Sequence, residues 1–359
     1  MSDTIYYSPE DFIKSSKFDA HIHYDTFDDS FLRKAGKANI RLLSINTDTG
    51  FPIDTQFEIG SSLKKRHPQS FNFIGTFDAT VFASGSFAED TMEQIRKCVT
   101  AGARGIKIWK NIGMVLKNED GQHVMADDPV FDPIYAFLEK EKIPLLAHLG
   151  EPRNCWLPYK QMTIPDDVLY YHRNPSYHLY MHPEIPSYER QIEARDHILE
   201  RYPNLIFVGA HLGSMEWSLE EVAKRMDRFP NFFVDLSGRF GHIFEHAFQD
   251  RSCVVNFFEK YQNRILYGSD WHVSKFNKRH WMKLFCKCFP HAYMELIYRH
   301  MRQIFKKHWL FLATDQMIKT GKLSNTPHSP EHLQGLRLPR KVVDRIFYEN
   351  AVEVYLNEK

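Results

Sequence analysis

The stretch that decides the fold is KFDAHIH, residues 17–23. A short apolar run ends in two histidines one residue apart. In an extended strand, residues i and i+2 project to the same face, so His21 and His23 can both point to one side at the strand's C-terminal end. Seven further runs have the same shape: NIRLLSIN (39–46), FNFIGTF (71–77), ARGIKIW (103–109), IPLLAHL (143–149), NLIFVGAHL (204–212), NFFVDLS (231–237) and RILYGSD (264–270). Their nearly continuous apolar character is that of parallel strands covered on both faces.

Between these runs lie segments of helical period. EDTMEQIRKCVTAGA (89–103) and DPVFDPIYAFLEKEK (128–142) are two, the second with Pro133 in its first turn, where a missing N–H is tolerated. SYERQIEARDHILERYP (187–203) and SLEEVAKRMDRFP (218–230) each close on a proline, and LPRKVVDRIFYENAVEVYLN (338–357) ends the chain as an amphipathic helix. Strand–helix alternation of this kind argues for βα units, and eight strands fit a closed (β/α)₈ barrel better than an open sheet. The expected fold is an α/β TIM barrel spanning residues 1–359 as one domain. Two stretches are too long for plain loops. Residues 150–187, after strand five, are rich in Pro, Tyr, His and Arg; residues 271–337 follow strand eight. Both are expected as insertions on the C-terminal rim, covering substrate.

The chain has 359 residues, room for such a barrel of about 250 residues plus insertions. Lys and Arg number 46 against 45 Asp and Glu, and the near-zero balance gives no support to a nucleic-acid partner. Five scattered cysteines make no disulfide framework. The polar, acidic N-terminus has no basic region followed by an apolar run, and no apolar stretch is long enough to span a membrane. The expectation is a cytoplasmic protein with neither nucleic acid nor membrane as partner, acting on a small anionic molecule, with a homodimer as a compatible assembly.

The strand ends collect metal-binding chemistry. His148 ends strand five, His211 strand six and Asp270 strand eight, alongside His21 and His23. A lone histidine at such a place is more often a hydrogen-bonded packing residue. Four histidines and an aspartate at equivalent ends are hard to obtain by chance, and imidazole with carboxylate suits a divalent ion. Zn²⁺ is expected first, with Mn²⁺ or Fe²⁺ compatible, as one or two ions.

FDAHIH, AHLGEP, FVGAHLGS, LYGSDW and the closing IFYENAVEVY together resemble the amidohydrolase superfamily. More narrowly they resemble its amidohydrolase-related (amidohydrolase 2) branch, which includes small-acid decarboxylases and lactonases. The resemblance runs from residue 18 to 357 and is specific for fold and metal site, not for substrate. It implies that His21, His23 and His148 are metal ligands. It implies that Asp270 binds metal and shuttles the proton of an attacking water. It implies that His211 is either a ligand or the residue that holds that water. Two-metal members frequently carry a carboxylated bridging lysine on strand four, and Lys107 in GIKIWKN occupies the matching position. Three readings stay open for it: a carboxylated bridge, a ligand or substrate contact without carboxylation, and a buried lysine paired with an acid.

Softer candidates surround this set. Lys110 lies past strand four, where it can meet an anion. Glu151, three residues after His148, can ligate an ion, contact substrate or pair with Arg153. Arg239 can grip a carboxylate through two parallel hydrogen bonds, and is as readily a surface arginine. Trp271 and His272 follow Asp270 and are expected in the pocket wall. His172, His178 and His182 lie among tyrosines in an expected substrate-covering loop. The expected function is metal-dependent hydrolysis of a small polar acid derivative, a lactone, amide or ester, with Asp270 and His211 as catalytic residues. The alternative is a metal-dependent lyase, a decarboxylase or hydratase of a small unsaturated or aromatic acid.

Overall fold

The eight apolar runs become parallel strands. The computed structural model describes residues 5–49, 51–274, 290–323 and 329–357. Its strands are β1 (Lys17–Asp25), β2 (Ile40–Ile45), β3 (Phe71–Thr76), β4 (Ile106–Ile108), β5 (Leu145–Ala147), β6 (Phe207–Gly209), β7 (Phe232–Asp235), β8 (Ile265–Leu266) and β9 (Trp271–Ser274). Each pairs with its sequence neighbour from β1 to β8, all parallel, and β9 pairs with β1. Of the run expected as strand eight, 264–270, only Ile265–Leu266 is strand; β9 lies beyond it, in the stretch expected as an insertion, and Asp270, with a left-handed φ of 58°, stands between the two. Ala20 N donates to Tyr267 O at 2.9 Å and Asp270 N to His21 O at 2.8 Å, so the sheet curls until its last strand meets its first.

The helices expected over 89–103, 187–203 and 218–230 are found at Phe87–Thr100, Tyr188–Arg201 and Leu219–Arg228. Ser187 and Ser218 cap the last two by accepting from Arg190 N and Glu221 N. The segment 128–142 becomes a short 3-10 turn followed by Asp132–Lys140. Helices at Ser30–Lys37, Ile53–Arg66, Phe240–Gln249 and Arg251–Tyr261 were not expected from the periodicity and complete the outer layer. Residues 150–187 hold the helix Pro165–Arg173 among 3-10 turns. Of residues 271–337, positions 275–289 and 324–328 lie outside the described residues; the remainder includes the helix Pro290–Ala313. No helix among the described residues is long and apolar enough to cross a membrane.

Two apolar layers pack on the sheet. Outward residues such as Ile106, Leu145, Phe207 and Phe232 meet the helices. Inward residues Phe18, Leu43, Ile74, Leu146, Val208 and Leu266 form a second cluster, closed from below by Val352, Val354 and Tyr355 of the C-terminal helix. That helix is tied to the sheet by Asn350 Nδ2, which donates to Ile265 O at 2.8 Å. The register Lys107↔Leu146↔Val208↔Phe233 places these four at one level of the interior. Two residues further on, at the open end of their strands, come His148 and Asp235.

β1 does something the others do not. Asp19 pairs with Leu42 but Ile22 with Ser44, so three residues of β1 span two of β2. This bulge reverses the alternation. Phe18 and Ala20 belong to the inner cluster, yet Ile22 and Tyr24 belong to the outer one. The inward positions after the bulge fall to His21 and His23.

Gly268 lies where the last strand closes on the first. A Cβ there would stand 2.6 Å from His21 Cβ and 3.0 Å from Ser237 Cβ. Gly268→Ala is expected to cost about 1–3 kcal/mol of stability through overpacking. Urea unfolding checks this, as a midpoint shift at unchanged slope.

Candidate active site

The mouth of the curled sheet gathers the histidines through their backbone-facing nitrogens. His21 is fully buried, and its Nδ1–H donates to Asp235 Oδ2 at 2.7 Å. His23 Nδ1–H donates to Ile45 O at 3.1 Å. His211 Nδ1–H donates to Ser237 O at 2.8 Å. Each bond fixes a tautomer with Nε2 unprotonated, the form an imidazole needs to bind a metal. At His21 and His23 that nitrogen faces Asp270, while at His211 it meets His148 Nδ1 at 3.3 Å. His21 Nε2 and His23 Nε2 lie 3.7 and 3.5 Å from Asp270 Oδ1. Donor atoms of His21, His23 and Asp270 all fall within 4.8 Å of one another. His21 Nε2 and His148 Nε2 are buried without a hydrogen-bond partner. An orphaned imidazole nitrogen facing a carboxylate fits a divalent ion.

The electrostatics agree with the geometry. Burial pushes His21 and His211 below the ordinary imidazole value and His148 well below it, with His211, Lys107 and Lys110 adding to the effect at His148. Burial works to raise Asp270, but attraction to His211, with the contact from His23, overcomes it and leaves the carboxyl well below its usual range. Neutral imidazoles around an ionised carboxylate make a donor set ready for a cation.

His148 and His211 stand beside the three-residue group: His211 Nε2 is 3.3 Å from His148 Nδ1, and the His21 and His211 rings are 5.1 Å apart. Lys107 lies inside the sheet, 1% exposed, and among the described residues its ammonium has no hydrogen bond or ion pair within 4 Å. Burial lowers its pKa to about 8, against the pull of Asp235 and Asp270. Lys110, just past β4, is likewise lowered by burial to about 8, and it pairs with Glu151. Glu151 thus takes Lys110 as its partner, while Arg153 lies over the Trp217 ring at 4.1 Å.

A cavity of about 370 Å³ opens above this group. Lys110, His148, Glu151, His211, Arg239 and Asp270 line it, with Asp167, Tyr170 and Tyr171 from the helix Pro165–Arg173. Two larger depressions, of about 740 and 820 Å³, contain none of the candidate site residues. Trp271 and His272 do not line the cavity: Trp271 packs against the His300 ring at 5.1 Å, and His272 stacks on His23 at 4.7 Å and reaches Asp25. His178 is buried and bonds Leu157 O at 2.8 Å, His172 stacks on Tyr159 at 3.8 Å, and His182 lies 3.5 Å from Glu184, so these three hold the insertion together.

Sequence reasoning passed over Asp235, Ser237 and Glu216. Asp235 carries the largest share of the bonding. Besides His21, its Oδ1 accepts from His211 N at 2.9 Å, Ser237 N at 3.0 Å and the Ser237 hydroxyl. Its signal was present: Asp235 lies two residues after inward-facing Phe233, as His148 lies two after Leu146. Glu216 is fully buried, with Oε1 accepting from Arg153 N at 2.9 Å and Oε2 3.9 Å from Arg239 Nε.

Residues 73–356 match the family model described as amidohydrolase. No curated protein matches the chain. Among solved structures the chain is similar to an amidohydrolase II, 15% identical over 95% of this chain and 99% of that one, with a TM-score of 0.49. It is also similar to 2,6-dihydroxybenzoate decarboxylase from Rhizobium (15% identity, 82% and 99% covered, TM-score 0.44). A third similar structure is 4-oxalomesaconate hydratase from Rhodopseudomonas palustris (11% identity, 91% and 80% covered, TM-score 0.46). No reaction or substrate follows from likenesses of this size.

Two outcomes are expected from these contacts. The double variant His21→Ala/His23→Ala should lose bound divalent metal in elemental analysis; retention at the parent's level would place the ion elsewhere. Asp235→Asn should weaken metal affinity about 10–100-fold, the usual effect of losing the group that orients a ligating histidine. Competition with a chromogenic chelator measures it.

Proposed function

Because the chain belongs to the amidohydrolase family, we propose that it is a metal-dependent hydrolase of a small polar acid derivative: a lactone, amide or ester. The observation that carries this reading is the convergence of His21, His23 and Asp270 beside a cavity whose wall bears Lys110 and Arg239. His21, His23 and Asp270 would hold the ion, with His148 and His211 completing its surroundings; Zn²⁺, Mn²⁺ and Fe²⁺ all suit such donors. Were a second ion bound, Lys107, buried inside the sheet, would be the candidate to serve it. A divalent ion supplies Lewis acidity, lowering the pKa of water toward ~7 and polarising a carbonyl oxygen.

The remaining work falls to the chain's own groups. Asp270, ionised, takes the proton of the attacking water and returns it to the leaving group. His211, held by Ser237 through Nδ1, offers Nε2 to orient that water. Lys110 and Arg239 grip the substrate's anionic group by charge-assisted hydrogen bonds. Tyr170 and Tyr171 close the cavity from the insertion side. The cationic wall also favours a second reading, a lyase in which the carboxylate met by Lys110 and Arg239 leaves as carbon dioxide, its bonding pair stays on the substrate carbon, and that carbon takes up a proton delivered with the help of His211.

Metal-loaded protein assayed on a panel of lactones, amides and esters, and of unsaturated and aromatic acids, separates the two readings. Hydrolysis incorporates solvent oxygen into product; decarboxylation releases carbon dioxide without consuming water. Asp270→Asn is expected to lower kcat by about 10²–10⁴, and near-parent turnover would remove this mechanism. Arg239→Met is expected to raise KM about 10–100-fold at unchanged metal content; an unaltered KM would leave the anionic substrate unsupported.

A further inference from the structure

Apart from the metal-binding group, Arg239 and the Lys110–Glu151 pair, the cavity lining includes two adjacent carboxylates, the exposed Asp166 and the half-buried Asp167, and Asp167 is held by two other elements. Asp167, in the first turn of the helix Pro165–Arg173, lines the cavity. Its Oδ2 accepts a 2.8 Å hydrogen bond from Asn154 Nδ2, in the 3-10 turn Arg153–Trp156. The same oxygen is 3.3 Å from His242 Nε2, on the helix Phe240–Gln249. His242 is 3% exposed, and its Nε2 has no aligned hydrogen-bond partner. Asn154 is as deeply buried. Burial acts to raise the Asp167 carboxyl, but His242, Asn154 and Arg239 outweigh it and hold it below the usual value, so it is ionised at neutral pH.

Both contacts fall on Oδ2. Among the described residues Oδ1 accepts no hydrogen bond, and no ion pair within 4 Å joins Asp167 to Arg239 or Lys110. Beside the Lys110–Glu151 pair the cavity therefore holds a cation, Arg239, and a carboxylate, Asp167, that are not paired with each other. A pocket for a plain anion gains nothing from an ionised carboxylate in its wall, which repels such a ligand. A carboxylate fixed by two buried side chains accepts hydrogen bonds only, so it selects a ligand that donates.

We propose that Asp167 is a specificity-determining residue. The substrate carries, besides the anionic group met by Lys110 and Arg239, a hydroxyl or amine that donates to Asp167 Oδ1, and His242 positions that carboxylate. This rests on reading the site as one for a small anionic molecule.

Calorimetric titration of the metal-loaded full chain with paired acids tests it: benzoate against its three monohydroxy derivatives, and succinate against malate and aspartate. The parent should prefer the hydroxyl- or amine-bearing member of at least one pair by about tenfold, the scale of a hydrogen bond to a charged group. Asp167→Ala should abolish that preference and raise affinity for the plain acid, whose charge the carboxylate repels. If Asp167→Ala does not fold, Asp167→Leu, which keeps the approximate size and removes both acceptor oxygens, reads the same preference. His242→Phe should weaken the preference several-fold and His242→Gln, which keeps a donor, should restore it. A parent with no such preference in any pair, or an Asp167 variant that retains it, overturns the proposal. Arg239→Met tests the underlying reading separately: it should weaken both members of each pair equally, and unchanged binding of both would sink the anionic site itself.

Discussion

The buried carboxylate of Asp235 is the interaction on which the site depends. One oxygen takes His21 Nδ1–H from β1; the other takes His211 N from the end of β6 and both donors of Ser237 beyond β7. An ionised group taken out of water costs several kcal/mol unless its lone pairs are met, and here they are met by groups from three places in the chain. Burial alone would raise this carboxyl; the contact with His21 reverses that, and it stays below its ordinary value. The same bonds that satisfy Asp235 fix the His21 tautomer and turn its Nε2 toward Asp270.

The backbone around it is shaped to match. His211, Leu212, Gly213 and Ser214 all have φ between 57 and 62°, a left-handed turn that costs roughly 1–2 kcal/mol for each non-glycine residue. It is held by His211 N on Asp235, by Tyr188 Oη donating to Ser214 O at 2.7 Å, and by Arg195 donating to Gly213 O at 2.6 Å. Arg195 is 2% exposed and also pairs with Asp196, so a buried ion pair is part of what keeps His211 in place. Strain of this kind persists where surrounding contacts over-determine it, and such places are frequently functional.

Below the polar mouth the interior is largely apolar. Phe18, Leu146, Val208 and Leu266 meet the C-terminal helix, so the polar groups above them are supported by packed apolar side chains. Burial then acts on each charge type by the same rule: it disfavours the charged form. Lys107 and Lys110 fall to about 8, and the imidazoles stay neutral. The carboxylates of Asp235 and Asp270 stay ionised because histidines stand against them.

Much of this was legible in the sequence. The apolar runs, their spacing and the helical segments between them determined a parallel α/β arrangement, and metal-binding residue types at the run ends marked the site. Of the four outer helices that escaped, Ile53–Arg66 and Arg251–Tyr261 separate their apolar and polar positions only weakly. Ser30–Lys37 and Phe240–Gln249 separate them clearly but are eight and ten residues long, too short for the periodicity to stand out. Asp235 escaped because a single aspartate carries no motif, although it ends its strand run as the histidines end theirs. That His21 and His23 can both point into the barrel follows from their spacing; that they do so does not. Strict alternation from inward-facing Phe18 and Ala20 turns both histidines outward, toward the helices. Only the pairing of β1 with β2 decides otherwise: one extra residue between Asp19 and Ile22 reverses the faces. The sequence determined that two imidazoles share a side; the bulge, a property of two strands in register and of neither alone, decided that the side is the interior.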